Sequence, residues 1–144
     1  MTGNTEKMAK AVTEGAELVD GVDVILVKAS AVDVEDLGGM DGYAFGAPNT
    51  FGGMAGELRA LFDKAWVKKE KMAGKPAVAF TSENQDTNTA LQDIERFFNY
   101  YKLEKVAEGV VAFKTPSEND LEACREIGQI LAEKAKNPSK KQLV

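Results

Sequence analysis

The chain has 144 residues, 44% hydrophobic and 28% charged, with a net charge of −5, the length and composition of one ordinary globular domain. It has no histidine and a single cysteine, Cys124, which removes Ser-His and Cys-His nucleophile pairs, an internal disulfide and a structural zinc site. Residues 1–66 hold eleven acids to five bases and residues 67–144 twelve to thirteen, so nucleic-acid binding, which needs concentrated positive charge, is disfavoured, whereas basic protein partners suit the acidic half.

No apolar run approaches the ~20 residues of a membrane span. The opening residues Met1 to Lys7 are polar, which predicts no secretory signal. With one thiol in a reducing compartment, the expectation is a cytoplasmic protein, residues 1–144 forming one domain.

In chain order, Thr5 to about Leu18 reads as a helix with Met8, Val12, Ala16 and Val19 on one stripe. Val22 to Val27 is a β-branched run between Gly21 and Lys28, hence a predicted strand. Val32 to Leu37 predicts a helical turn ahead of Gly38-Gly39, and Tyr43 to Ala47 a short buried strand stopped by Pro48. Met54 to Lys69 carries Met54, Leu58, Leu61, Phe62 and Ala65 at helical spacing. Ala77 to Thr81 is the next strand, followed by a polar run, Ser82 to Asp86. Leu91, Ile94, Phe97, Phe98 and Tyr101 mark a helix, Val106 to Phe113 a strand, and Glu118 to about Lys136 a last helix. Strands alternating with helices predict an α/β fold, an open and mostly parallel sheet with helices on both faces. Such sheets bind ligands outside the carboxyl ends of their strands.

Three polar loops fall on that edge. Thr2, Gly3, Asn4 and Thr5 form a small turn opening a helix, where free backbone N–H groups favour an anion; the same residues also make an ordinary N-cap. Pro48, Asn49, Thr50, Phe51, Gly52 and Gly53 follow a buried strand, with glycines, amide and hydroxyl donors and one aromatic ring that suit the edge of a planar heterocycle. Thr81, Ser82, Glu83, Asn84 and Gln85 form the third loop. Together they point to a planar ligand bearing a phosphate.

Thr2 to Ala9 resembles the phosphate loop and first helix of the flavodoxins. Gly46 to Leu58 resembles the loop beneath the ring in the flavodoxin-like NAD(P)H:quinone oxidoreductases, and Phe80-Thr81-Ser82 the strand end and third flavin loop of both. The resemblance implies a flavodoxin-like fold with FMN as cofactor. It places the phosphate at Thr2 to Thr5, the ring and its pyrimidine edge along Pro48 to Gly53, and the other side of the ring at Thr81 to Gln85. It assigns no catalytic side chain and no metal, since the cofactor carries the chemistry. Two departures stand out. The fold's usual first strand has no counterpart ahead of Thr2, and the third loop carries neither a stacking tyrosine or tryptophan nor a Gly-Thr-Gln-His run.

The expected function is electron transfer between protein partners through FMN. The alternatives are an FMN-dependent NAD(P)H:quinone oxidoreductase and an interaction scaffold of the same fold that has lost FMN. Trp66 and Cys124 read as packing residues. Phe97, Phe98, Tyr100 and Tyr101 read as helix packing with an outward ring suited to a partner or a homo-oligomer. Asp33, Glu35, Asp36 and Asp41 read as solvated loop charges.

Overall fold

The computed structural model describes residues 3–50, 53–54, 56–83 and 88–136, without the side chain of Thr50. Helix α1 (Gly3–Glu17) is followed by a stretch without helix or ladder, a 3₁₀ turn at Ala29–Ala31 and the short α2 (Val34–Leu37). Strand β1 (Tyr43–Thr50) turns into β2 (Gly53–Met54); α3 (Gly56–Ala65), a 3₁₀ turn (Trp66–Lys68) and α4 (Lys69–Met72) come next. Strand β3 (Pro76–Glu83), α5 (Thr89–Tyr101), β4 (Glu104–Lys105), β5 (Val110–Phe113) and α6 (Glu118–Lys136) complete the order.

Strand β3 is the axis of the sheet. It pairs in parallel with β1 over Tyr43↔Ala77 to Pro48↔Ser82, and on its other edge with β4 and β5. All eight of its residues are buried, as a parallel strand covered on both faces requires. Side chains alternate along it. Ala77 and Ala79 join Tyr43, Phe45, Ala47 and the apolar stripes of α3 and α5 on one face. Val78 and Phe80 join Val110, Ala112 and the stripes of α1 and α6 on the other.

The two helices of that second face cross very closely at a glycine on each. A Cβ on Gly15 would lie 1.8 Å from the Arg125 carbonyl oxygen, and one on Gly128 would lie 2.0 Å from that of Val12. Only hydrogen fits there, and the crossing fixes where the first turn of α1 meets the sheet. In β1, a Cβ on Gly46 would lie 2.0 Å from the Phe80 ring, so this glycine makes room for the Phe80 side chain beside it.

Four expectations change. Val22 to Val27 is not a strand: residues 22–28 carry no ladder, and Ile25, Leu26 and Val27 are 67, 51 and 47% exposed. A β-branched run supplies the propensity, but a strand also needs a neighbour to bond, and among the described residues none runs beside it. The edge of β1 facing away from β3 likewise has no ladder partner over residues 43–48 among the described residues.

Secondly, β1 does not stop at Pro48 but runs on to Thr50, because a strand with an open edge accommodates a missing N–H. Thirdly, Met54 belongs to β2, opposite Asn49, and the helix begins only at Gly56 and turns 3₁₀ at Trp66. Lastly, the strand expected over residues 106–113 is split. Ala77 pairs with Lys105 and Phe80 with Val110, three steps against five, so two residues bulge out. Gly109 in that bulge lies so close to Leu91 that a Cβ would approach its Cδ1 to 2.4 Å.

Candidate functional site

The carboxyl ends of β1 and β3 and the amino ends of α1 and α5 gather at one edge of the sheet. A hydrogen bond between Thr5 Oγ1 and Ser82 Oγ, 2.8 Å long, joins the first turn of α1 to the end of β3. This bond brings the first and third loops of the sequence reading together across 77 residues of chain. The second loop lies alongside through the ladder, with Ala47 opposite Thr81 and Pro48 opposite Ser82.

At the first turn of α1, a Cβ on Gly3 would meet nothing within 4 Å among the described residues, and the first N–H groups of a helix have no partner within it, so the helix dipole favours negative charge there. Asn4 and Thr5 are half-buried beside it.

At the end of β3, Thr81, Ser82 and Glu83 are the three buried polar residues among those described. By alternation Ser82 faces α1, as its bond to Thr5 confirms, and Thr81 and Glu83 belong to the opposite face of the sheet. Thr81 Oγ1 is fully buried and has no hydrogen-bond partner among the described residues. A buried hydroxyl without a partner costs about 1–3 kcal/mol, a cost that a ligand with polar edges would relieve. The Glu83 carbonyl accepts from Lys114 N at 2.6 Å, which anchors the end of β3 to the turn after β5; Lys114 itself takes a positive φ of 61°.

In the second loop, β1 and β2 pair antiparallel, with Asn49 opposite Met54 and Thr50 opposite Gly53. Asn49 Nδ2 donates to Thr89 Oγ1 at 2.8 Å, and Met54 N donates to Asp93 Oδ2 at 3.2 Å. Thr89 and Asp93 belong to α5 and had no place in the sequence reading. An acid at mid-helix looks like any solvated charge, and no spacing signal links it to a loop 39 residues earlier.

Gly3, Asn4, Thr5, Pro48, Asn49, Gly53, Thr81, Ser82 and Glu83 thus come to one edge, with the backbone of Thr50. Thr2, Phe51, Gly52, Asn84 and Gln85 lie outside the described residues. A helix start flanked by half-buried Asn4 and Thr5, and an unpartnered buried hydroxyl on the adjoining strand, fit a phosphate-bearing planar group. Three groups whose pKa burial raises lie elsewhere: Tyr43 donates to the Leu37 carbonyl, Tyr101 to that of Phe62, and Cys124 sits under α1. Burial raises all three, with Asp41, Asp63 and Asp120 adding to the effect at Tyr43, Tyr101 and Cys124 respectively.

No protein-family model matches the chain. It is 31% identical to a flavodoxin of Aquifex aeolicus over an alignment, gaps included, of 152 positions that covers 92% of this chain and 80% of that protein. It is also 31% identical to an NAD(P)H dehydrogenase (quinone) of Syntrophobacter fumaroxidans over an alignment, gaps included, of 111 positions that covers 58% of this chain and 54% of that protein. Its fold matches a solved flavodoxin from the domain Archaea with a TM-score of 0.83 at 24% identity, covering 95% of this chain and 94% of that one.

Proposed function

Because the chain belongs to the flavodoxin family, we propose that it holds FMN at the carboxyl edge of its sheet and passes electrons between protein partners. The observation that carries this reading is the Thr5–Ser82 hydrogen bond, which assembles two loops distant in sequence into one polar cradle at a helix start. The N–H groups of the first turn from Gly3 onward, with Asn4 and Thr5, would take the phosphate. Asn49, Thr50 and Gly53 would border the ring, with Thr81 at the adjoining end of β3. Bound there, the flavin would supply the redox chemistry, while the chain's own groups position it and set its electrostatic surroundings. The net charge of −5 suits basic redox partners and their electrostatic steering.

The test is a titration of purified protein with FMN and with riboflavin, followed by flavin fluorescence. Saturable quenching by a folded sample is expected. Thr5→Val combined with Ser82→Ala should weaken FMN about tenfold, since about 1.4 kcal/mol of phosphate-end contacts would go, and leave riboflavin within twofold. A folded protein that quenches neither flavin refutes the reading and leaves the scaffold alternative.

The likeness to an NAD(P)H dehydrogenase (quinone) supports a second reading, an FMN-dependent NAD(P)H:quinone oxidoreductase. Unaided oxidation of NAD(P)H by a quinone, in the presence of FMN, would favour it. Dependence on an added reductase would favour the carrier.

A further inference from the structure

The β1–β2 hairpin is held at both ends of its turn by side chains of a single helix. Its two strands share only two residue pairs, Asn49↔Met54 and Thr50↔Gly53, and so short a ribbon has little stability of its own. Asn49 donates to Thr89 Oγ1 and Met54 N to Asp93 Oδ2. Thr89 and Asp93 are four residues apart on α5, one above the other on the same helix face. Their spacing matches the base of the hairpin, where the two strands enter and leave the turn.

Asp93 is more than a local cap. Its carboxylate also meets Arg59 of α3 at 3.2 Å and Arg96 of α5 at 3.5 Å. The Asp93 side chain is 16% exposed, against 49 and 61% for the two arginines, so the anion is the fixed member of the group. A carboxylate accepting from a backbone N–H makes a charge-assisted bond, stronger than a neutral one. Asp93 thereby ties α5, the exit of the hairpin and the following helix at one point.

We propose that Thr89 and Asp93 form a clamp that sets the position of the hairpin against the flavin ring, as positioning residues acting through Asn49 and Met54. The inference rests on the reading that this edge takes a flavin. It adds that the ring half of the site is adjusted from α5, independently of the phosphate half at α1. Both tethers are side-chain contacts outside the loop, so they can be cut without altering any residue that would touch the flavin.

The experiment compares Thr89→Val, Asp93→Ala and Asp93→Asn with the natural chain. The readouts are FMN and riboflavin dissociation constants and amide hydrogen exchange at Met54 in the flavin-free protein. Asp93→Ala should speed Met54 exchange tenfold or more and weaken both flavins by the same factor, about tenfold, leaving the FMN-to-riboflavin ratio unchanged. Asp93→Asn keeps an acceptor for the Met54 N–H and should recover most of that loss. Thr89→Val, the mildest change, should weaken both flavins about threefold in a fully folded chain.

Unchanged Met54 exchange in Asp93→Ala would overturn the clamp, as would a shift in the FMN-to-riboflavin ratio, which would mean that the effect is not confined to the ring half. If the natural chain binds neither flavin, the functional reading fails first, and with it the clamp's role toward the ring. Met54 exchange would then tell separately whether the tether itself exists.

Discussion

Replacing Gly15 with alanine sets two well-measured effects against each other. In a helix interior, alanine for glycine normally stabilises by about 1 kcal/mol, because glycine loses more backbone freedom on folding. At Gly15 the new Cβ would sit 1.8 Å from the Arg125 carbonyl oxygen and 2.6 Å from its carbon. The obstacle is backbone in the middle of α6, so no rotamer change relieves it. The helices must part locally by about 1.5 Å to restore contact distance, and overpacking of this kind costs about 1–3 kcal/mol, occasionally more. Separation would also loosen Met8, Val12, Cys124 and Ile127, which pack in the same cluster. We therefore expect a net loss of about 2 kcal/mol, or about 6 °C in melting temperature for a chain of this length. Gly56 is the control: it opens α3 and a Cβ there meets nothing within 4 Å. Gly56→Ala should leave stability within about 0.5 kcal/mol of the natural chain or raise it. Urea unfolding followed by circular dichroism measures both. Equal shifts for the two variants, or a Gly15→Ala chain as stable as the natural one, would refute the close helix crossing.

Three further outcomes follow from burial. The Cys124 thiol is pushed up to about 12 by burial and by Asp120, so a thiol-specific reagent at pH 8 should react at the rate of unfolding and accelerate strongly in urea; prompt reaction in buffer would contradict its place beneath α1. Tyr101 is likewise pushed up to about 12, from 10.0, by burial first and Asp63 second. A group whose pKa is raised by folding contributes stability that is complete below its unfolded value and fades as pH climbs through the folded one, so the melting temperature should fall between pH 10 and 12, and less steeply in Tyr101→Phe. Ile25→Lys with Leu26→Thr changes two exposed side chains and should move stability by no more than about 0.5 kcal/mol while reducing self-association seen by light scattering; a loss above 2 kcal/mol would mean that the run is packed in solution.

What the sequence discloses and what it conceals divide along physical lines. The helices of residues 3–17, 89–101 and 118–136 were legible because each keeps one apolar stripe at helical spacing, and a stripe needs only a surface to lie on. The three polar loops were legible as one edge because the βαβ alternation alone sends every strand's carboxyl end the same way. Met54 was misplaced because its apolar side chain fits a helical stripe and a hairpin equally well; what decides is a backbone N–H bonded to Asp93, 39 residues on. The bulge at residues 106–109 was hidden for a similar reason, since it answers to the position of Leu91 on another element.

The run from Val22 to Val27 shows the same limit most sharply. Its residues have the β-branched composition of Val110 to Phe113, yet only the latter forms a strand, because Phe80 to Glu83 lie beside it to complete a ladder. Strand formation is a property of a pair of segments, and one segment's composition cannot supply the other half. The same reasoning locates the site's dependence on tertiary structure. Thr5 and Ser82 are each unremarkable polar residues in their own segments, and their joint meaning arises only when the Gly15–Gly128 crossing seats α1 against α6 and carries Thr5 to within 2.8 Å of Ser82. A helix displaced by the added methyl of Gly15→Ala should for that reason lose FMN affinity as well as stability, and riboflavin affinity less, because α1 is where the proposed site would hold the phosphate.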